Sequence, residues 1–333
     1  MEASVEQLGR IAEEGTGIPP EAARELIRPD GPELFDILYW ANRVRERHKG
    51  RRVRFCAILS ARQGQCPEDC RFCAQSAHHH TAISAFPLRE VDEMLSAVRR
   101  CDPARCNSFG LVTSGPGPKQ GPDWERLLQT IRAMADEGRM MACASFGALT
   151  PLAARQLYDA GLRRYNHNLE TSARFFPTIC TTHTFEDRVT TIRHARAAGL
   201  QVCSGGIFGM GESPGDRIDM AVALRELDVD SIPINFLNPI PGTPLANAEP
   251  LQPMDCLRIL GVYRLFFPTR DIKVAGGREA ALRDLQSWMF YAGANGAILG
   301  NYLTTSGRSA EEDLQMVRDL GMETVSGEEA IDP

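Results

Sequence analysis

The sequence predicts a closed parallel α/β barrel entered through a helical extension. Three observations carry the prediction. Eight short β-rich runs recur from residue 53 onward. Helical stretches separate them, and several stop at a glycine in the expected position. The length, 333 residues, suits a single decorated barrel. Together they read as a (β/α)8 TIM-type barrel. An open doubly wound sheet is the alternative, because periodicity does not report closure.

Residues 1–50 read as helices. In "GPELFDILYWANRVRERHK" Leu34, Leu38, Ala41 and Val44 share one helical face, with Phe35 and Ile37 beside it. The strand signals are "VRFCAIL" (53–59), "SFGLVTS" (108–114), "MMACASF" (140–146), "RRYNHNL" (163–169), "QVCSGGI" (201–207), "SIPINFL" (231–237), "DIKVA" (271–275) and "GAILG" (296–300). Between them lie helical segments such as "DWERLLQTIRAMADEG" and "TFEDRVTTIRHARAAG". The expected division is an extension over 1–50, a barrel over 51–310, and a helix with a loose acidic tail over 311–333.

Composition narrows the function. Hydrophobic residues make up 43%, enough for a large core, and the net charge of -6 argues against a nucleic-acid surface. No apolar run approaches the ~20 residues of a membrane span. The acidic, amphipathic start "MEASVEQLGRIAEEGTG" does not read as a secretion signal. A cytoplasmic location is expected, and there ten cysteines point to metal or chemistry rather than disulfides.

Strands of such a barrel are normally apolar on both faces. Several here are not. Cys56, Cys143 and Cys203 sit mid-strand; Asn166, Asn168 and Glu170 share one face by the period of two; Asn235 and Lys273 lie on two further strands. Unpaired polar groups in a packed barrel are costly, so the lumen is expected to hold a ligand.

The stretch "QCPEDCRFC" carries Cys66, Cys70 and Cys73 on the loop after the first strand. Zinc normally takes four ligands, often as two CxxC pairs. Three close thiols instead suit three corners of a 4Fe–4S cubane with one iron open, whereas electron carriers fill all four corners. The alternative is a zinc loop completed by His78, His79 or His80. Phe72 reads as a wall for a flat ligand or as core.

Cys-x3-Cys-x2-Cys with an aromatic before its last cysteine resembles the radical S-adenosylmethionine enzymes, and "GGIFGMGE" is similar to their adenine-side segment. "CPEDCRFCAQS", "YNHNLETS", "VCSGGIFGMGE", "PINFLNPIPGTPL" and "AGGRE" further resemble the biotin synthase family in order and spacing, over roughly residues 55–305.

The resemblance implies that Cys66, Cys70 and Cys73 bind a 4Fe–4S cluster and that its open iron chelates S-adenosylmethionine. It places Asn168 and Glu170 against substrate and cofactor ribose, Glu standing where the family has Asp. It places Arg188 near the cofactor carboxylate and Ile207 against adenine. It gives Asn235 to the ureido ring of dethiobiotin, with Asn166 and Asn168 also on the substrate side. Asn168 and Lys273 would lie nearest the chemistry. The implied reaction breaks C–H bonds at C6 and C9 of dethiobiotin with 5′-deoxyadenosyl radicals and closes a ring with sulfur from an auxiliary cluster. A flavodoxin- or ferredoxin-type electron donor and a homodimer are implied too.

In the familiar members that auxiliary cluster is 2Fe–2S, held by three strand cysteines and one arginine. Cys143 and Cys203 match two of those positions. The other two fall on Gly110 and Lys273. Glycine offers no ligand, and only three lysines (Lys49, Lys119, Lys273) occur among 37 basic residues, so a lysine here runs against the bias of the chain. Cys56 stands where the family tends to have a hydroxyl residue. By alternation it could face the lumen beside Cys143 and Cys203; the alternative is a small buried core residue. The expectation is that these three thiols hold a 4Fe-type auxiliary cluster carrying an extra sulfide, with Lys273 donating hydrogen bonds to it. Cys106 is the reserve ligand, Cys101 and Cys256 read as packing, and Cys180 has no assigned role. Two other readings stand beside this one: a different radical barrel enzyme of hydrogenase-maturase type, or a non-catalytic iron–sulfur protein.

Overall fold

A computed structural model of the chain describes residues 3–331; the ends of the expected extension and tail, residues 1–2 and 332–333, lie outside the described residues. Three helices, Val5–Glu13, Pro20–Leu26 and Leu34–Lys49, form the expected extension. In the third, Leu34, Ile37, Leu38, Trp40, Ala41 and Val44 are buried. Phe35, placed beside that face from the sequence, is 57% exposed.

All eight strand signals form strands: β1 (Arg52–Arg62), β2 (Ser108–Thr113), β3 (Met141–Ser145), β4 (Arg164–Asn166), β5 (Gln201–Cys203), β6 (Gly206–Phe208), β7 (Ser231–Phe236), β8 (Asp271–Val274) and β9 (Gly296–Ile298). One signal is broken in two. β5 and β6 are halves of a single stave, and both pair with β7. The break falls at Gly205, where an added Cβ would lie 2.0 Å from the Pro233 carbonyl oxygen; at Gly206 it would lie 2.4 Å from that of Glu170. Backbone packs on backbone there, which only glycine permits.

Closure separates a barrel from an open sheet, and β1 supplies it. It pairs in parallel with β2 and also with β9, through Arg54↔Gly296, Phe55↔Ala297 and Cys56↔Ile298. The fold is therefore an eight-staved parallel barrel. A tenth strand, β10 (Glu323–Thr324), follows the helix Ala310–Asp319 and pairs with the start of β1. Arg264 locks the closing staves. Its buried guanidinium donates to the carbonyls of Gly293, Phe267, Pro268 and Arg270 and to Asn295 Oδ1. Among the described residues no helix is long and apolar enough to cross a membrane.

Candidate active site in the barrel mouth and lumen

Parallel barrels present their strand ends and following loops at one mouth. The cysteine loop begins there, directly after β1. It closes on itself: Cys66 N–H donates to the Gln75 carbonyl, Ala77 N–H to that of Cys66, and Cys73 N–H to that of Cys70. Gln65 turns the chain with a φ of 53°. Burial pushes the Cys66 thiol up, and the Cys73 thiol to about 11. The Cys180 thiol first, and burial second, push Cys70 up.

Cys66, Cys70 and Cys73 do not converge within 4.8 Å of one another, as donors to a single ion would. The three thiols therefore do not form a ready single-ion site. Two of the three histidines proposed for a zinc loop have a ring nitrogen engaged elsewhere: His78 Nε2 lies 2.9 Å from the Pro67 carbonyl and His79 Nδ1 2.9 Å from that of Cys73.

The face of β4 and its continuation runs from Arg164 through Asn166 and Asn168 to Glu170. Glu170 adopts a left-handed φ of 70°, unusual for a residue with a side chain. Such strain costs on the order of 1–3 kcal/mol and collects at functional sites. It is held by sheet-like bonds: Glu170 N–H to the Gly205 carbonyl, and Ile207 N–H to the Glu170 carbonyl. Burial raises the Glu170 carboxyl, against the pull of Arg188. Arg188 sits on the helix Phe185–Ala197; its Nη1 donates to the Asn168 carbonyl at 2.9 Å and lies 3.6 Å from Glu170 Oε1. Asn168 Nδ2 donates to Glu170 Oε2, and its Oδ1 accepts from Gly205 N–H.

Besides Arg164 Nη1 at the inner end of this face, two buried atoms in the group have no partner: Arg188 Nε and Asn166 Oδ1. Unsatisfied buried groups are costly, so a donor and an acceptor stand ready for a ligand. Phe72 and Ile207 pack on one small apolar cluster with Ile179, Met210 and Leu237, a wall of the kind a flat ring needs. The cofactor residues assigned from the sequence thus fit an adenosyl ligand with a carboxylate. Asn235 is more committed than expected. Its Nδ2 donates to the Gly206 carbonyl and its Oδ1 accepts from Gly276 N–H, leaving one N–H and one lone pair.

Deeper in the lumen, register brings the second set together. Cys56 pairs with Ser108, Gly110 with Cys143, Cys143 with Arg164, and Asn166 with Cys203. Lys273 on β8 donates Nζ to Cys56 Sγ at 2.8 Å, and Ser108 Oγ donates to the same sulfur at 2.9 Å. Burial alone would raise the Cys56 thiol; the charges of Lys273 and Arg164 outweigh it and lower it. Lys273 is raised, burial opposing and Cys56 prevailing. Burial pushes Cys143 to about 11 and also raises Cys203. A Cβ on Gly110 would crowd Ile58 at 3.3 Å and touch Cys143 Cβ at an ordinary 3.9 Å, so the position beside Cys143 carries no ligand. These three sulfurs do not converge on a single-ion spacing either.

One residue was missed. Arg164 is 5% exposed, on β4 opposite Cys143. Its Nε and Nη2 donate to Gln201 Oε1, while Nη1 is buried without a partner. The signal was present in the sequence: position 164 has the parity of Asn166, Asn168 and Glu170. Cys106 leaves the candidate set. It is fully buried in the core and bonds to the carbonyls of Phe55 and Ser108. Cys256 is likewise core.

Comparison with known proteins agrees with this architecture. Residues 62–224 match the Radical SAM superfamily and residues 233–323 the Biotin and Thiamin Synthesis associated domain; the second match begins within β7, inside the one barrel. Methylornithine synthase has the same fold, with a TM-score of 0.82 at 21% identity over 96% of this chain and 98% of its own. So does the hydrogenase maturase HydG, with a TM-score of 0.82 at 17% identity over 97% of this chain and 76% of its own. The biotin synthase of Geotalea daltonii is 47% identical over 98% of this chain and 99% of its own. That of Trichlorobacter lovleyi is 48% identical over 93% of each. At that identity and coverage, the chain belongs to the biotin synthase family of radical S-adenosylmethionine sulfurtransferases.

Proposed function

We propose that this enzyme inserts sulfur between C6 and C9 of dethiobiotin, using a mouth cluster on Cys66, Cys70 and Cys73 and a 4Fe-type auxiliary cluster on Cys56, Cys143 and Cys203. When bound, the mouth cluster with S-adenosylmethionine supplies 5′-deoxyadenosyl radicals, and the auxiliary cluster supplies the sulfur.

The observation that carries this reading is the lumen set: three thiols on three separate staves, Cys143 and Cys203 buried and Cys56 half-buried, with Lys273 and Arg164 as the cations facing them. Arg188 Nε is free to take the cofactor carboxylate, and Glu170, held by its strained backbone and bonded once by Asn168, has further lone pairs to accept ribose hydroxyls. Phe72 and Ile207 cover the adenine. Asn166 and the spare capacity of Asn235 meet the polar end of the substrate. Lys273 and the unpartnered Nη1 of Arg164 offset the negative charge of a thiolate-bound cluster and donate to its sulfur. A flavodoxin- or ferredoxin-type protein delivers the electrons, and the enzyme acts as a homodimer in the cytoplasm.

The test uses anaerobically reconstituted protein with S-adenosylmethionine, a reductant and dethiobiotin. Biotin and dethiobiotin-dependent 5′-deoxyadenosine are the expected products by mass spectrometry. Mössbauer spectra should show a second cluster of 4Fe type that is lost in Cys56→Ala. A 2Fe cluster indifferent to that substitution would sink the auxiliary assignment, and deoxyadenosine release indifferent to dethiobiotin would sink the substrate.

A further inference from the structure

Cys180 has no place in the chemistry above, yet it is packed against it. It follows the short turn Phe176–Thr178, on a loop stapled to the cysteine loop. Arg71 N–H donates to the Ile179 carbonyl at 2.9 Å, and the Asp69 carboxylate accepts the N–H groups of Thr181 and Thr182 at 2.9 and 3.2 Å. The staple presents a second donor set. Cys180 Sγ lies 3.7 Å from Cys70 Sγ, 3.3 and 3.8 Å from His183 Nδ1 and Nε2, and 3.1 Å from Asp69 Oδ1. His183 Nδ1 in turn lies 2.7 Å from Glu68 Oε2. Cys70, Cys180 and His183 are the one group among the described residues whose ligand atoms all fall within 4.8 Å of one another.

From the juxtaposition of Cys70, Cys180 and His183 we infer that the cluster-free chain carries a mononuclear Zn2+-type site, which withholds Cys70 from the iron–sulfur cluster. The separation of the two thiols suits a tetrahedral ion. Zinc–sulfur bonds of about 2.3 Å set a sulfur–sulfur edge of roughly 3.8 Å, close to the separation of the two thiols. Glu68 holds Nδ1 of His183 and leaves Nε2 for the metal, the usual carboxylate–histidine arrangement. Asp69 or solvent completes the fourth position. Both sulfurs are buried, so the ion would sit away from bulk water.

Two thiolates and an imidazole select zinc over Fe2+ by intrinsic affinity. The consequence is competition: an ion in this site occupies a thiol the cluster needs. That consequence rests on the assignment of Cys70 to the cluster, whereas the ion site itself does not.

The two parts are tested separately. Cys66→Ala/Cys73→Ala, in the full chain, removes the cluster but keeps the proposed site. Titrated anaerobically with Co2+, it is expected to bind one ion per chain, with intense tetrahedral d–d bands and a thiolate-to-cobalt charge-transfer band, both erased by Zn2+. Glu68→Gln in that background should weaken the affinity about 10–100-fold, and Cys180→Ser and His183→Ala by more. Absence of the charge-transfer band, or an unchanged titration in Cys180→Ser and His183→Ala, overturns the site. Circular dichroism checks each variant, and Glu68→Gln serves if the others do not fold. In the unsubstituted chain, one equivalent of Zn2+ added before iron and sulfide should suppress the cluster absorbance, and Cys180→Ser should restore it. Suppression that Cys180→Ser leaves intact overturns the competition. A chain that never forms the cluster without Zn2+ would instead disprove the assignment of Cys70.

Discussion

The two cysteine triads are built in opposite ways. Cys66, Cys70 and Cys73 come from one short loop and are placed by its local hydrogen bonds. Cys56, Cys143 and Cys203 come from β1, β3 and β5 and are placed by strand register around a closed barrel. A loop can rearrange its thiols toward a cluster or toward Cys180; staves cannot. On the proposed reading, the mouth set serves a cofactor that must open a coordination position, and the lumen set a cluster that must keep a sulfur aimed at one substrate. The surroundings differ too. Burial dominates at Cys66 and Cys73, whereas in the lumen two cations overturn it at Cys56.

The sharpest way to break this comparison is to remove one thiol from each set. Cys73→Ala should abolish both 5′-deoxyadenosine and biotin. Cys203→Ala should abolish biotin while leaving deoxyadenosine release measurable by mass spectrometry. Equal loss of both products in the two variants would show that the triads do not divide the work. Next in size is Arg164→Met. Outer-shell groups that bond to a metal site's ligands are typically worth 10–100-fold, so biotin per chain should fall by about that factor while the mouth cluster keeps its electron paramagnetic resonance signal.

How far each set was legible follows from the same contrast. The loop triad is local, so its spacing could be read directly from "QCPEDCRFC". The eight staves were legible as alternating runs, but their closure through Cys56↔Ile298 was not, because pairing across the chain leaves no local periodicity. The lumen triad was inferred by matching motifs, and the structure adds what motifs could not: the Lys273–Cys56 contact and the register that sets Arg164 opposite Cys143. Arginine is common in this chain, which hid the one that is buried in the lumen. Cys180 was opaque because its partners, Asp69 and Cys70, lie more than a hundred residues away. Phe35 was misplaced because helical position alone does not say how wide the buried face is.

A smaller effect is expected at the mouth. Arg188 engages Asn168 and Glu170 and keeps Nε unpartnered. Arg188→Lys keeps the charge but loses the planar fork. Loss of one charge-assisted hydrogen bond is worth about 2 kcal/mol, so the KM for S-adenosylmethionine should rise roughly 30-fold with the lumen cluster's Mössbauer signature unchanged. A change in kcat alone would move Arg188 from cofactor binding to the chemistry.

The smallest effect lies behind the mouth, where stability rather than chemistry is at stake. Asp216 caps the helix Pro214–Glu226 and ties it to the loop that follows Glu170: its carboxylate accepts Ser172 Oγ at 2.6 Å, Ser213 N–H at 2.9 Å and Ser213 Oγ at 2.6 Å, and it pairs with Arg174. Burial would raise this carboxyl, but the hydrogen bonds of Ser172 and Ser213 prevail and hold it at about 2, below the usual 3.8. The folded state therefore binds this proton more weakly than the unfolded chain. Its stabilisation is complete above about pH 4 and disappears as pH falls toward 2, and a shift of that size corresponds to about 2 kcal/mol. The Arg174 arm is exposed and adds little. Asp216→Asn should lower the urea midpoint at pH 7 and flatten the loss of stability in this acid window relative to the unsubstituted chain. An acid limb unchanged by the substitution would mean that the carboxylate does not hold the mouth loop in place, and that the strained Glu170 depends on its sheet bonds alone.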